Sequence, residues 1–464
     1  MTNLLSSYRE INNQLTYKSG IIKLSDNKKV RITYADYIAS GLLSPVIEQY
    51  LQKYIYPLYS NTHSNAHNGI LMKKLLSNTK EYLRSEFNIS DDYQIIFTGS
   101  GTTGAINHLV NSIDYNKYSR IVIYLSIYEH YSNHIPWMEL LNKYSHIKIE
   151  FIPFIDNSGI IDLNYLNDSI NNLYYDSNNS DTFNYTLVIC SITACSNING
   201  SIIPLDKIRE ILNSYPNNNR FFKYFFADYA CSAPYVKIDG AILDAFFISP
   251  HKFIGGPCTP GLLIGRKCLF SKDKPFCSGG GCVKKGSSTI IEYEPDIERR
   301  ESAGTPNIIG IIKIKKIFQL KKEYYDIIHN NEKILSELIK LKIEYYELKY
   351  KNFKSVLYDD EYHLPIFSFH LTNLHYNLIV ILFNDLFGIQ TRGGIGCCGL
   401  LAEYIEQKYK YRGWCRISFH WLMDKKTITN IFNALEYIIK NGYKYKDLYT
   451  YDQEQNLFIK ILKK

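Results

Sequence analysis

Between about residues 95 and 265 the chain repeats one texture, a short and nearly uninterrupted apolar run followed by a longer stretch with apolar residues at helical spacing. The runs are QIIFTG, RIVIYLS, IKIEFIPF, YTLVICSIT, FFKYFFADYA, DAFFISP and GLLIG. Runs so continuous in Ile, Val, Phe and Tyr suit strands covered on both faces by helices. Strands separated by helix-length segments predict a mainly parallel α/β sheet. After residue 307 the texture changes: IIGIIKIKKIFQLKKEYYDIIHNNEKILSELIKLKIEYYELKY keeps apolar residues at helical spacing with charges between, so one or two long helices are expected. LPIFSFHL, LHYNLIVILFNDLFG, CRISFHWL and KKTITNIFNALEYIIKNGY then predict strand, helix, strand and helix, a small α+β lobe. The expected division is an N-terminal segment (1–30), a large domain (31–307) and a small C-terminal domain (308–464). The Asn-rich stretch at 165–185 reads as a polar surface insertion, and no internal repeat is found.

The length agrees with two lobes, since 464 residues exceed the roughly 250 to 300 at which single cores stop growing. An apolar fraction of 45% and a charged fraction of 21% are ordinary for a soluble enzyme. The formal charge of +8 is scattered, so a solvated surface is expected and a nucleic-acid partner is not. There is no run of about 18 uncharged apolar residues, and the N-terminus lacks the basic start, apolar core and cleavage site of a signal peptide. The expectation is therefore a cytoplasmic protein with no membrane partner. Its ten cysteines read as free thiols; Cys397 and Cys398 are too close for a zinc site and no C-x-x-C pair occurs, so no metal is expected.

Three chemical features fall at predicted strand ends. In YQIIFTGSGTTGAINHLVNSI a strand runs into Gly99, Ser100, Gly101, Thr102, Thr103 and Gly104 before a helix. Free N–H groups at a helix start, two hydroxyls and the helix dipole make a phosphate cradle. The spacing is neither a Walker A loop nor a dinucleotide fingerprint. The strand FFADYA ends in Asp228, and DAFFISPHK ends in Lys252. Open α/β sheets hold ligands at such ends. A phosphate cradle, a carboxylate for a pyridine nitrogen and an amine for a Schiff base are together what pyridoxal 5'-phosphate requires.

With these residues in view, the chain resembles the class V pyridoxal-phosphate enzymes of the aspartate-aminotransferase fold (fold type I), within them the cysteine desulfurase and selenocysteine lyase branch. The likeness runs from about residue 31 to about 440. YADYIASG resembles an N-terminal D-x-A-A-S-G element, which implies Ala39 and Ser40 near the substrate; NTHSNAH resembles the segment whose histidine, His63, lies near the active site. GSGTTGAIN resembles the phosphate loop, with Thr102 and Thr103. YEHYSNHIPW resembles E-H-x-x-N-x-x-P-W, implying that His130 stacks on the cofactor ring and assists proton transfer. CSNINGSIIP implies that Asn197 reaches the ring's 3-hydroxyl. ADYACSAP supplies Asp228, and SPHK supplies Ser249 and His251 at the phosphate with Lys252 as the Schiff-base lysine. ESAGTPNIIG resembles E-x-A-G-T-P-N near the end of the large domain. IQTRGGIGCCG and GWCRISF imply Arg392 and Arg416 as clamps on the substrate carboxylate, with Cys397 at the spacing of the desulfurase nucleophile.

Departures from the family pattern are Cys231, where Gln or His is common three residues after the aspartate, Cys258 in the Gly-rich loop, and Cys282, where relatives often carry a threonine that reaches the neighbouring subunit's phosphate. Ile395 occupies a position that is cysteine in similar Cys-rich loops, and their Pro-Tyr-Gly-His tail is absent. The resemblance implies conversion of L-cysteine to L-alanine, with Lys252 removing the α-proton and Cys397 as thiolate taking the sulfur as a persulfide. It also implies a homodimer and a sulfur-acceptor protein. The alternatives are a class V aminotransferase using a keto acid acceptor and a catalytically inactive member with a binding role.

Overall fold

All seven apolar runs form strands of one sheet in the computed structural model, which describes residues 4–156, 158–179, 185–358 and 363–461. They are β1 (Tyr93–Thr98), β2 (Arg120–Ser126), β3 (Ile147–Ile152), β4 (Thr186–Thr193), β5 (Phe221–Asp228), β6 (Ala245–Ile248) and β7 (Gly261–Arg266). Their order across the sheet is β1-β7-β6-β5-β4-β2-β3. Neighbours from β6 to β3 are parallel, and β7 runs antiparallel to both β1 and β6. Six strands therefore point the same way and deliver their C-terminal ends to one edge. All eight residues of β4 and all four of β6 are buried, the outcome expected of strands covered on both faces. Ile123, Leu187, Ile189, Phe226, Phe247 and Leu263 form the centre of the core on one face, with Trp137 and Leu109 packed over them.

Residues 165–185 do not form the polar insertion expected of them. Leu163–Asn179 is an α-helix that buries Leu166, Ile170, Leu173 and Ser177. Those positions recur at steps of four and three, a helical stripe that the many Asn, Ser and Asp residues of the exposed face conceal. Residues 180–184 of that stretch lie outside the described residues.

The chain divides into two compact units. The larger comprises Val46–Cys195 and Ile203–Glu323; the smaller comprises the chain up to Pro45, Ser196–Ile202 and the chain from Tyr324. The change of texture at residue 307 marks the start of helix Ile308–Glu323, which packs on helix His67–Glu86 within the larger unit, so the unit boundary lies one helix further on. Within the smaller unit, β8 (Phe353–Ser355), β9 (Ile366–Leu371), β10 (Arg392–Gly394) and β11 (Trp414–Ser418) form an antiparallel sheet in the order β8-β9-β11-β10. Helices Tyr325–Lys349, Tyr376–Phe387, Gly399–Tyr409 and Lys425–Asn441 accompany it. Among the described residues no helix is long and apolar enough to cross a membrane, and no cluster of three or more His, Cys, Asp or Glu is placed to hold a metal ion.

Candidate active site

The larger unit gathers one set of site residues at the C-terminal edge of its sheet. β1 ends at Thr98 and helix α1 (Gly101–Ser112) begins three residues later. Gly101 makes that turn at φ +56°, and a Cβ there would lie 2.7 Å from Ser249 Oγ and 2.9 Å from His251 Cε1. A Cβ on Gly261, in β7, would lie 2.1 Å from the Gly101 carbonyl oxygen. Only glycine at both positions lets the loop lie against the strand. The N–H of Thr102 donates to Ser249 Oγ at 2.9 Å, tying the α1 start to the end of β6. Thr102 is buried and Thr103, one step along the turn, is exposed.

Lys252 and His251 follow β6 in a single helical turn, Pro250–Lys252, and both are half-buried. Burial, reinforced by the Lys252 charge, pushes the His251 imidazole down to about 4, so that ring is neutral at neutral pH. Asp228 is the last residue of β5, only 1% exposed, and its Oδ1 accepts the N–H of Ala230 at 2.8 Å. Burial pushes its carboxyl up to about 6, while the Ala230 N–H and the Lys252 charge pull the other way. An acid in this state favours a cationic neighbour strongly.

His130 caps helix α2 (Tyr131–Met138), its Nδ1 accepting the N–H of Ser132 at 3.1 Å. The residue before it, Glu129, is fully buried and ties three elements together. Its Oε1 accepts from Ser126 Oγ at 2.5 Å and the Thr193 N–H at 2.8 Å, and its Oε2 from Asn133 Nδ2 at 2.7 Å. Burial outweighs these donors and pushes its carboxyl up to about 8. His63 is exposed in an Asn61 turn, and a Cβ on Gly281 would lie 3.5 Å from its Cε1, so it borders the separate glycine loop at residues 279–282. The Cys282 thiol lies inside that loop, 3.0 Å from the Gly279 carbonyl. Cys231 is buried with its sulfur 3.8 Å from that of Cys195.

The smaller unit gathers the rest. Arg392 in β10 and Arg416 in β11 are register partners, and one carboxylate serves both. Asp36 Oδ2 accepts from Arg392 Nε at 2.9 Å and Asp36 Oδ1 from Arg416 Nη2 at 2.9 Å. Arg416 Nη1 donates to the Asn197 carbonyl at 2.9 Å, and its buried Nε has no acceptor. That N–H has no acceptor among the described residues, a costly arrangement unless something else accepts it. Asn197 Nδ2 donates to the Gly396 carbonyl at 2.8 Å, which holds the loop carrying Cys397. Gly394, Gly396 and Cys397 all have positive φ, and for the cysteine, at +57°, this is a strained conformation. Its thiol is exposed, while that of Cys398 is buried. Ala39 and Ser40 follow Asp36 on the turn closed by Ala39 N–H to the Asp36 carbonyl. The Tyr34 hydroxyl bridges the Asp36 and Ser40 carbonyls and is pushed up to about 12 by burial and by the Asp36 charge.

Asp36, Glu129 and Ser132 are structural contributors that sequence reasoning did not single out. All three lie inside segments quoted for their resemblance, Asp36 in YADYIASG and the others in YEHYSNHIPW. Asp36 carried a signal in principle: a lone acid in an apolar segment that ends beside a turn.

Comparison with known proteins identifies the family and the fold. The pattern of the family "Aminotransferase class-V" matches residues 33–431. The chain is 32% identical over 389 residues to a cysteine desulfurase of Wigglesworthia glossinidia brevipalpis, covering 81% of this chain and 86% of that one. It is 28% identical over 396 residues to a probable cysteine desulfurase of Borreliella burgdorferi, covering 82% and 85%. Among solved structures, the apo cysteine desulfurase of Thermococcus onnurineus NA1 superposes with a TM-score of 0.73 at 22% identity, covering 88% of this chain and 95% of that one. The cysteine desulfurase CsdA of Escherichia coli, in its S-sulfonic acid form, superposes with a TM-score of 0.72 at 20% identity, covering 93% and 98%. These two likenesses establish the fold, the fold type I α/β architecture with a mainly parallel sheet and a small α+β lobe.

Proposed function

The chain belongs to the class V aminotransferase family, and from that membership we propose that it is a pyridoxal-phosphate-dependent cysteine desulfurase. The observation that carries the choice within the family is the loop of Cys397: an exposed thiol on a strained turn, tethered through Asn197 to an arginine with an unused buried donor. The name borne by the 32% identical relative points the same way.

The residues of the larger unit fit the cofactor. The bare Cα of Gly101 leaves the cradle between the α1 start, Ser249 and His251 free of a Cβ, and the buried acid of Asp228 suits a protonated pyridine nitrogen. Thr102, Thr103, Ser249 and His251 would hold the phosphate, His130 would lie on the ring and Lys252 would carry the covalent link; Asn197, which belongs to the smaller unit, is expected from the family resemblance to meet the 3-hydroxyl. Bound there, the cofactor supplies an electron sink for an amino acid's α-carbon. The chain's own residues do the rest. Arg416, through its spare Nε, and Arg392 receive the substrate carboxylate, with Ala39 and His63 bordering the substrate. Lys252 takes the α-proton. Cys397 as thiolate attacks the substrate sulfur: an S–S bond forms, the C–S bond breaks, the protein keeps a persulfide and the carbon skeleton leaves as alanine.

The exposure of Cys397 supports handing that sulfur to an acceptor protein, and the family resemblance supports a homodimer in the cytoplasm. The test is release of alanine and sulfide from L-cysteine by the reduced, cofactor-loaded protein. Equimolar products that vanish in Lys252→Ala are expected, and Cys397→Ala should abolish them as well. Undiminished turnover in Cys397→Ala would remove the persulfide step; conversion of L-cysteine to its 2-oxo acid, with an added keto acid becoming the matching amino acid and no sulfide released, would make the protein an aminotransferase.

A further inference from the structure

His130 and the phosphate loop are joined by a chain of hydroxyls whose direction the geometry fixes. The backbone N–H of Ser132 donates to His130 Nδ1 at 3.1 Å, so Nδ1 carries no hydrogen and the neutral ring bears it on Nε2. Ser132 Oγ lies 3.0 Å from the same Nδ1. Because Nδ1 accepts, the serine hydroxyl must be the donor. Ser132 Oγ also lies 2.6 Å from Thr103 Oγ1, and with its own hydrogen committed it accepts the threonine's. The order is Thr103 to Ser132 to His130.

A helix cap needs only the backbone N–H, which alanine at 132 would provide as well. The serine hydroxyl adds a link between two groups with different tasks. Thr103 stands exposed in the first turn of α1, where a bound phosphate would be an acceptor only. A phosphate oxygen that takes the Thr103 hydrogen strips Ser132 Oγ of its donor. The Ser132 hydroxyl then turns to Thr103 Oγ1, and Nδ1 keeps the backbone N–H alone. We infer that Ser132 is a positioning residue that couples occupancy of the phosphate cradle to the hydrogen bonding of His130. The inference rests on the proposed roles of Thr103 and His130. Its consequence is that the ring acquires its working environment only after the cradle is filled.

The test uses the full chain freed of cofactor, labelled with [15N]histidine, with the His130 resonances identified through His130→Gln. Inorganic phosphate is titrated at a pH where the ring is neutral, and its binding is followed separately by 31P. In the wild type, Nδ1 is expected to move downfield as it loses one donated hydrogen bond. In Ser132→Ala it should start at the displaced position and stay there, and Ser132→Thr should restore the response. Phosphate binding with Nδ1 unmoved in the wild type, or an unchanged response in Ser132→Ala, overturns the coupling and leaves the cradle intact. Failure of phosphate to bind at all removes the cradle reading, and the coupling with it.

Discussion

Asp36→Asn tests the cluster proposed to receive the substrate carboxylate, because it removes one charge and almost no volume. The two ion pairs of Asp36 are unequal. Arg392 is 50% exposed at its side chain, so that pair contributes at most about 1 kcal/mol. Arg416 is 5% exposed and Asp36 12%, which makes the second pair a buried one. Breaking a buried pair by removing one partner costs about 3–5 kcal/mol, since the remaining charge is left uncompensated. Asparagine keeps one carbonyl for Arg416 but then turns its NH2 toward Arg392 Nε, a donor against a donor. The expected loss is therefore about 3 kcal/mol, the lower end of that range. A chain of two compact units need not unfold in one step, so the assay should be local. Hydrogen exchange of the peptide spanning Trp414–Ser418 reports the opening of β11 itself. The companion variant is Asp36→Asn with Arg416→Met: an apolar side chain in place of the stranded guanidinium should recover most of the loss. A loss below about 1 kcal/mol in the single variant, or losses that simply add in the double variant, would refute the claim that the pair is buried and mutually dependent.

Arg416→Lys should lower kcat/KM for the amino acid about 10- to 100-fold with cofactor affinity unchanged, because an ammonium cannot reach Asn197 and Asp36 while offering a third donor; steady-state kinetics and a cofactor titration check it. Gly101→Ala places a Cβ against Ser249 and His251 in a left-handed backbone, at a strain of about 1–2 kcal/mol. Cofactor affinity should therefore fall about tenfold, as read by absorbance titration. Glu129→Gln should alter the pH dependence of stability. With its carboxyl raised from 4.5 to about 8, the folded protein holds a proton that the unfolded chain has released, so this group's contribution to stability falls as pH rises across that window and is constant above it. The difference between wild type and Glu129→Gln in urea unfolding should track that fall, and a difference independent of pH between 5 and 8 would count against it.

The parallel sheet, the strand-end positions of Asp228 and Lys252, and the helix-start cradle were all legible in the sequence, because each depends on local signals: continuous apolar runs, a Gly-rich turn, and the residue types that stand just past a strand's last apolar position. The helix Leu163–Asn179 was misread for the converse reason, its buried stripe being four residues set among polar ones. What tertiary structure alone decided are the partners. Asp36 meets Arg392 and Arg416 across 356 and 380 positions, and Glu129 reaches the Thr193 N–H across 64. The positive φ at Cys397 and the buried, unpaired Nε of Arg416 are likewise visible only in the folded chain. Local sequence sets periodicity and turns within a few residues, but a buried charge or donor is specified only by what the folded chain brings to within about 3 Å of it, and no spacing along the sequence encodes that distance.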